Sequence, residues 1–86
     1  MNPVITRMVE EGLLQAYSRE VWLRTKKKAR TRLAKLPRDE LVRIARQLLE
    51  RRFGPDNYDY LESLDFYSLT EVIIYNLGWL ALRLRR

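Results

Sequence analysis

The residues most able to do chemistry in this sequence are a run of basic side chains in its first half. Residues 26–38 contain seven lysines and arginines in thirteen positions and no acidic residue. Like charges at this density repel one another, and a bound polyanion would relieve the repulsion. We therefore predict that the run contacts the phosphates of DNA or RNA with little sequence preference. The predicted contact residues are Lys26, Lys27, Lys28, Arg30, Arg32, Lys35 and Arg38.

Two other interpretations of this basic run stay open. A charged face that meets only water gives the same pattern, and so does a surface that binds an acidic protein or a membrane. The charge is unevenly distributed, because residues 1–37 carry a net charge of +6 and residues 54–67 carry −4. A helix-turn-helix is disfavoured for the same reason, since its recognition helix would fall in the acidic segment and phosphates would repel it.

Most familiar catalytic and metal-binding groups are missing from this sequence. It contains no cysteine and no histidine, which excludes thiolate chemistry and removes the commonest general base and metal ligand. Asp56, Asp59 and Glu62 could hold a cation, but they lack the alternating acids and central glycine of a calcium loop. We expect a protein that binds rather than catalyses, with no cofactor, no metal and no small-molecule substrate.

The periodicity of apolar residues predicts an all-α fold, in which residues 1–86 form one domain built as a bundle of three or four helices. The clearest helix runs from about Pro37 to Phe53. Pro37 suits the first helical position, and Gly54 followed by Pro55 ends the helix. The buried face of this helix is predicted to comprise Leu41, Ile44, Ala45, Leu48 and Leu49.

The segments on either side of this helix are less regular. The first 36 residues predict either one long helix or two helices joined near residues 24–28, because their two apolar stripes point in different directions. Residues 54–67 predict a turn region with a possible short helix over residues 57–64, capped by Asp56. The aromatic side chains of this region are expected to pack as a lid over the core. A docking surface for a basic partner is the alternative.

The last helix is predicted to begin at a capping box of Ser68 and Glu71 and to span residues 69–84. It is apolar nearly all round, and a chain of 86 residues has few neighbours with which to surround such a helix. We therefore expect a subunit interface here, in a homo-oligomer or with another protein. The alternative function is thus a small subunit or adaptor of a larger complex. The predicted interface residues are Val72, Tyr75, Trp79 and Leu82.

The sequence predicts neither a secretory signal nor a membrane span. Arg7, Glu10 and Glu11 interrupt any apolar run near the start, and the longest apolar stretch, residues 72–82, is shorter than the roughly 20 residues that cross a bilayer. We expect a cytoplasmic protein. The lack of cysteine and the scarcity of asparagine and glutamine, which heat damages, hint at a thermophilic source.

Overall fold

The computed structural model describes residues 19–84, with side chains for residues 24–80 and 83. In this part of the chain three α-helices and one short 3₁₀ helix form the fold, and no strand occurs. The elements are α1 (Arg19–Leu33), α2 (Arg38–Phe53), the 3₁₀ helix (Asp59–Ser63) and α3 (Phe66–Leu84). The all-α prediction is confirmed for these residues, whereas the part of the first predicted helix that precedes residue 19 lies outside them.

Helix α1 runs without a break through residues 24–28, so the alternative that joined two helices there is wrong. No glycine or proline interrupts residues 13–36, and the change of apolar stripe does not end the helix. After Leu33 the chain tightens into a turn, in which the Leu36 amide donates to the Leu33 carbonyl at 3.0 Å. Pro37 then disfavours helical geometry at Leu36 and ends the element.

Helix α2 begins one residue later than predicted. Pro37 has an extended backbone, with φ −65° and ψ 155°, and it is the N-cap rather than the first helical residue. Its carbonyl accepts hydrogen bonds from the amides of Glu40 and Leu41, both at 3.1 Å. At the other end Gly54 adopts φ +87°, where glycine is favoured, and its amide donates to the Glu50 carbonyl at 2.8 Å. The predicted termination at Gly54 is confirmed.

The segment between α2 and α3 folds as a single 3₁₀ turn over Asp59–Ser63, which is shorter than the helix predicted for residues 57–64. Asn57 rather than Asp56 supports its start, since the Asn57 amide oxygen accepts from the Asp59 backbone N–H at 3.0 Å. Tyr58 and Leu61 are buried. The lid prediction holds for Tyr58 alone among the aromatic residues here, because Tyr60, Phe66 and Tyr67 are exposed.

The buried phenol of Tyr58 ties this segment to the end of α2. Its hydroxyl donates to the Gly54 carbonyl at 2.6 Å. Burial has the largest effect on the pKa of Tyr58 and raises it above its ordinary value of 10.0. The neighbouring charges of Asp56 and Glu50 raise this pKa further. The unfolded chain therefore ionises at a lower pH than the folded one. The stability that Tyr58 contributes is present below about pH 10 and is lost as the pH rises through the folded pKa.

Replacement of Tyr58 by Phe is expected to remove this alkaline sensitivity. At neutral pH the variant should be less stable than the wild-type chain, because it lacks the hydrogen bond to Gly54. The difference should hold up to about pH 9 and shrink as the pH rises past about 10, where only the wild-type chain loses the contribution of the phenol. Urea unfolding at a series of pH values measures this difference. Tyr60→Phe is the matched control on an exposed phenol, and a Tyr58→Phe difference that did not change with pH would contradict the account.

Helix α3 begins at Phe66, three residues before the predicted range, because Asp65 caps it. The Asp65 carboxylate accepts from the Ser68 backbone N–H at 2.7 Å. Hydrogen bonds from the Ser68 amide and hydroxyl lower the pKa of Asp65, and the charge of Arg38 adds a smaller effect in the same direction. The predicted capping box of Ser68 and Glu71 is wrong, since Asp65 supplies the cap and Glu71 pairs with α1 instead.

The core lies between α2 and α3 and is closed by Leu33 of α1 and Leu61 of the 3₁₀ helix. All the residues predicted for the buried face of α2 belong to it. The single chain buries one side of α3, including Leu69 and Ile73, and leaves Tyr75 exposed, so the predicted subunit interface stays a prediction. No helix in residues 19–84 is both long and apolar enough to cross a membrane. The core residues are Leu33, Leu41, Val42, Ile44, Ala45, Leu48, Leu49, Tyr58, Leu61, Leu69, Ile73, Ile74, Leu77 and Leu80.

Candidate nucleic-acid interface

Helix α1 presents two opposite faces, and the basic residues are divided between them. Residues spaced by three and four positions share one side of a helix. Lys26, Ala29, Arg30 and Leu33 have this spacing and form the side that packs on the rest of the chain, where Leu33 is fully buried and the other three are partly buried. The opposite side carries a different set of cations.

On the packing side, α1 and α3 are joined by alternating basic, acidic and aromatic side chains, which we call the interhelical ladder (Tyr67, Arg30, Glu71, Lys26 and Tyr75). The Arg30 guanidinium pairs with the Glu71 carboxylate and lies 4.5 Å from the centre of the Tyr67 ring. Lys26 Nζ lies 3.9 Å from Glu71 Oε2 and 4.8 Å from the centre of the Tyr75 ring. Two of the seven predicted phosphate contacts therefore hold two helices together.

The side chain of Arg38 also serves the fold. It donates to the carbonyl of Glu62 at 2.6 Å and to the carbonyl of Leu64 at 2.5 Å, across the segment that leads into α3. The acid that neutralises part of the basic run is Glu71, which lies 41 residues beyond Arg30. The sequence expectation that the run has no acidic partner holds only for neighbours along the chain.

Glu71→Gln is expected to lower the free energy of unfolding by about 1 to 2 kcal/mol, between the values typical of exposed and of buried ion pairs. Lys26 and Arg30 would remain close together and lose the charge that neutralises them. Urea denaturation measures the loss of unfolding free energy. Compared with the wild-type chain, hydrogen exchange of the backbone amides should speed up more in α1 than in α2. The control is Glu62→Gln, an identical change at an exposed carboxylate with no ion pair among the described residues. An equal effect of the two substitutions would show that the ladder contributes nothing.

The opposite side of α1 carries the exposed cations, which we call the basic stripe (Arg24, Lys27, Lys28 and Lys35). Arg24, Lys27 and Lys28 share this side with the exposed Thr31, and Lys35 follows in the turn beyond the helix. Within the part of the chain whose side chains are described, none of the four forms an ion pair or a hydrogen bond through its side chain. Arg32 is partly buried at the edge of the stripe and makes an interaction of its own.

Helix α2 carries arginines that are paired with acids. Arg43 lies 3.4 Å from the carboxylate of Glu40, and Arg46 lies 3.4 Å from that of Asp59. Both arginines line an open groove of about 510 Å³ between α2 and Glu62. Its walls contain acids as well as bases, which distinguishes it from the basic stripe. Asp56, Asp59 and Glu62 do not converge on a shared cation site, and no such acidic cluster is found elsewhere in residues 19–84.

The predicted protein interface on α3 is only partly exposed. Val72 and Trp79 are half-buried, and Tyr75 is 56% exposed although Lys26 lies over its ring. The side chain of Leu82 lies outside the described residues. The structure therefore brings three of the four predicted residues to one side of α3, at a spacing of three and four positions.

The sequence interpretation missed a group of arginines near Trp79. Arg52 and Arg83 each lie 5.3 Å from the centre of the Trp79 ring, and Arg52 donates to the side-chain carbonyl of Asn76 at 3.3 Å. The available signal was the placement of these arginines in the last turns of their helices, which is also explained by the helix dipole. Comparisons of this chain with protein-family models, with curated sequences and with solved structures found no match.

Proposed function

We propose that this protein is a non-enzymatic accessory or architectural protein that binds nucleic acid through the basic stripe. The observation that carries the proposal is that Arg24, Lys27, Lys28 and Lys35 are exposed on the side of α1 that faces away from the core, without an acidic partner among the described residues. Lys26, Arg30 and Arg38, which also belong to the basic run, are assigned to the fold.

The spacing of the stripe suits a phosphate backbone. Arg24 and Lys35 are eleven positions apart, and Lys35 lies two residues beyond the end of α1, so the stripe is about 16 Å long at the rise of a helix. A duplex carries about one negative charge per 1.7 Å of its axis, so a stripe of this length meets more phosphates than it has cations. Like charges at helical spacing destabilise a helix by about 0.2 to 0.5 kcal/mol per pair, and bound phosphates would relieve this repulsion. A face that only keeps the protein in solution would not need so many positive charges close together.

The stripe offers no aromatic ring and no carboxylate or amide side chain, so guanine is the only base whose edge its cations are suited to read. Recognition through it therefore depends on phosphates and has weak sequence preference. The proposal includes a cytoplasmic location, where nucleic acid is within reach. The thermophilic source stays a prediction about the organism.

Binding to labelled duplex DNA and duplex RNA across 50 to 300 mM salt tests the proposal. Four phosphate contacts give a slope of about −3.6 in the logarithm of affinity against the logarithm of salt, which is a loss of about 100-fold between about 50 and 200 mM. A complete lack of binding at the lowest salt would show that the stripe is only a solvated charged face. A slope near zero would exclude phosphate contacts as the source of affinity.

The second candidate function is a small helical subunit, or a homo-oligomer, that docks through residues 69–84. The observation in its favour is the partly exposed side of α3 formed by Val72, Tyr75 and Trp79. Trp79→Ala combined with Leu82→Ala should then change the mass in solution, measured by light scattering. A monomeric wild-type chain would remove the homo-oligomer from consideration, and the partner would have to be a different protein.

A further inference from the structure

A second group of basic side chains lies where α2 and α3 end, away from the interhelical ladder. Arg51 and Arg52 occupy the last turn of α2, and Arg83 the last turn of α3. Between them is a cleft of about 200 Å³ lined by Arg51, Trp79, Leu80 and Arg83, which we call the arginine–tryptophan cleft. Arg52 flanks Trp79 and also lies 4.9 Å from the centre of the Phe53 ring, which is 65% exposed.

The helix dipoles do not account for this concentration of charge. Each helix C-terminus carries about half a negative charge, so two ends offset about one of the three guanidinium charges and leave about +2. The aromatic rings attract cations through their quadrupoles without neutralising them. Among the residues whose side chains are described, no carboxylate lines the cleft, whereas the groove on the other side of α2 contains three. The cleft is therefore suited to an anion.

The size and walls of the cleft narrow the class of anion. Pockets for whole small molecules usually measure about 300 to 1,000 Å³, so this cleft holds one unit of a larger ligand. Trp79 is the aromatic residue in its lining, and the Arg52 guanidinium lies near both the Trp79 ring and the exposed ring of Phe53. Aromatic rings beside arginines are the usual platform for unpaired bases of single-stranded nucleic acid. A peptide of acidic residues could pair with the arginines, but it would have no aromatic ring to stack against Trp79.

We propose that the arginine–tryptophan cleft binds an unpaired base of single-stranded nucleic acid against Trp79, where the base takes the place of the Arg83 guanidinium over the ring. The flanking phosphates would then lie on Arg51 and on the displaced Arg83. This inference rests on the proposed function and extends it, because the basic stripe has no aromatic ring and cannot contact a base by stacking. The stripe would bind duplexes and single strands through phosphates alone. The cleft would add affinity for single strands only, since a paired base is not free to enter it.

Fluorescence of Trp79 tests the inference in the full chain. The chain has two tryptophans, so Trp22→Phe leaves Trp79 as the only one. Oligothymidylate should quench its emission, whereas an abasic oligonucleotide of the same length and an aspartate-rich peptide of the same charge should not. Equal quenching by the abasic strand or by the peptide would show that the cleft selects only charge, and the inference would fail. Should Trp22→Phe unfold, comparison of the wild-type chain with Trp79→Phe gives the same readout.

A pair of matched variants separates the inference from the proposed function. Arg51→Ala with Arg83→Ala should weaken binding of oligothymidylate about tenfold or more and leave duplex binding nearly unchanged. Arg43→Ala with Arg46→Ala removes the same charge from the other groove and should affect both ligands little. Equal losses of affinity for duplex and single strand would show that the cleft does not select unpaired bases. The proposal for the basic stripe would then still stand. If neither ligand binds the wild-type chain, both proposals fall.

Discussion

Replacement of Lys27, Lys28 and Lys35 by Glu is expected to abolish binding to duplex nucleic acid and to leave the fold intact. The substitutions remove three of the four exposed cations of the basic stripe and put repulsive charges in their place. Loss of three phosphate contacts should also bring the salt slope of any residual binding from about −3.6 to near −1. The three side chains are exposed, so circular dichroism and the unfolding midpoint should change little. Fluorescence anisotropy of a labelled duplex measures the loss.

A matched pair of neutral variants distinguishes the stripe from net charge. Lys27→Gln with Lys28→Gln removes two positive charges from the stripe, and Arg43→Gln with Arg46→Gln removes two from α2. If binding depends on the stripe, only the first pair should weaken it strongly. If the two double variants weaken binding equally, the overall charge of the protein attracts the ligand, and the stripe is not a defined binding surface.

Ile73→Ala is expected to destabilise the chain by about 2 to 5 kcal/mol, since it removes a fully buried side chain of α3 and leaves a cavity between α3 and its neighbours. A domain of 86 residues has a total stability of about 4 to 13 kcal/mol, so the substitution should remove a substantial fraction of it. Urea denaturation measures the change. The physical reason is that Ile73 lies in the core that the single chain forms, and not on the exposed side of α3.

The graded control is Ile73→Val, which should cost about 0.5 to 1.5 kcal/mol because it removes only one methylene group. Both variants should be measured at two protein concentrations at least tenfold apart. A loss that depends strongly on concentration would indicate that a second copy contributes to the burial of Ile73, contrary to the packing described for one chain.

The elements that local signals define were predictable from the sequence. Proline before α2 and glycine after it mark its ends, and the spacing of Leu41, Ile44 and Leu48 gives its buried face. The start of α3 was misjudged because two capping signals compete within four residues. Asp65 and Ser68 are both good N-cap residues, and the sequence alone does not say which of them supplies the cap.

The division of the basic run was not predictable, because it depends on contacts between residues far apart in the sequence. Seven cations in thirteen positions look alike until the packing side of α1 is known. Glu71 pairs with Lys26 and Arg30 from another helix, and the carbonyls that bind Arg38 belong to the segment before α3. The cleft around Trp79 was missed for the same reason, since its arginines come from two helices.

The most direct test of the basic stripe is an NMR titration of the isotopically labelled chain with a short DNA duplex at about 50 mM salt. The largest amide shifts are expected in residues 24–35, on the exposed side of α1, with much smaller shifts near Arg43 and Arg46. The shifts should disappear in the variant with Lys27, Lys28 and Lys35 changed to Glu. Shifts that cluster instead around Val72, Tyr75 and Trp79, or no shifts at all, would contradict the assignment of the stripe as the nucleic-acid interface.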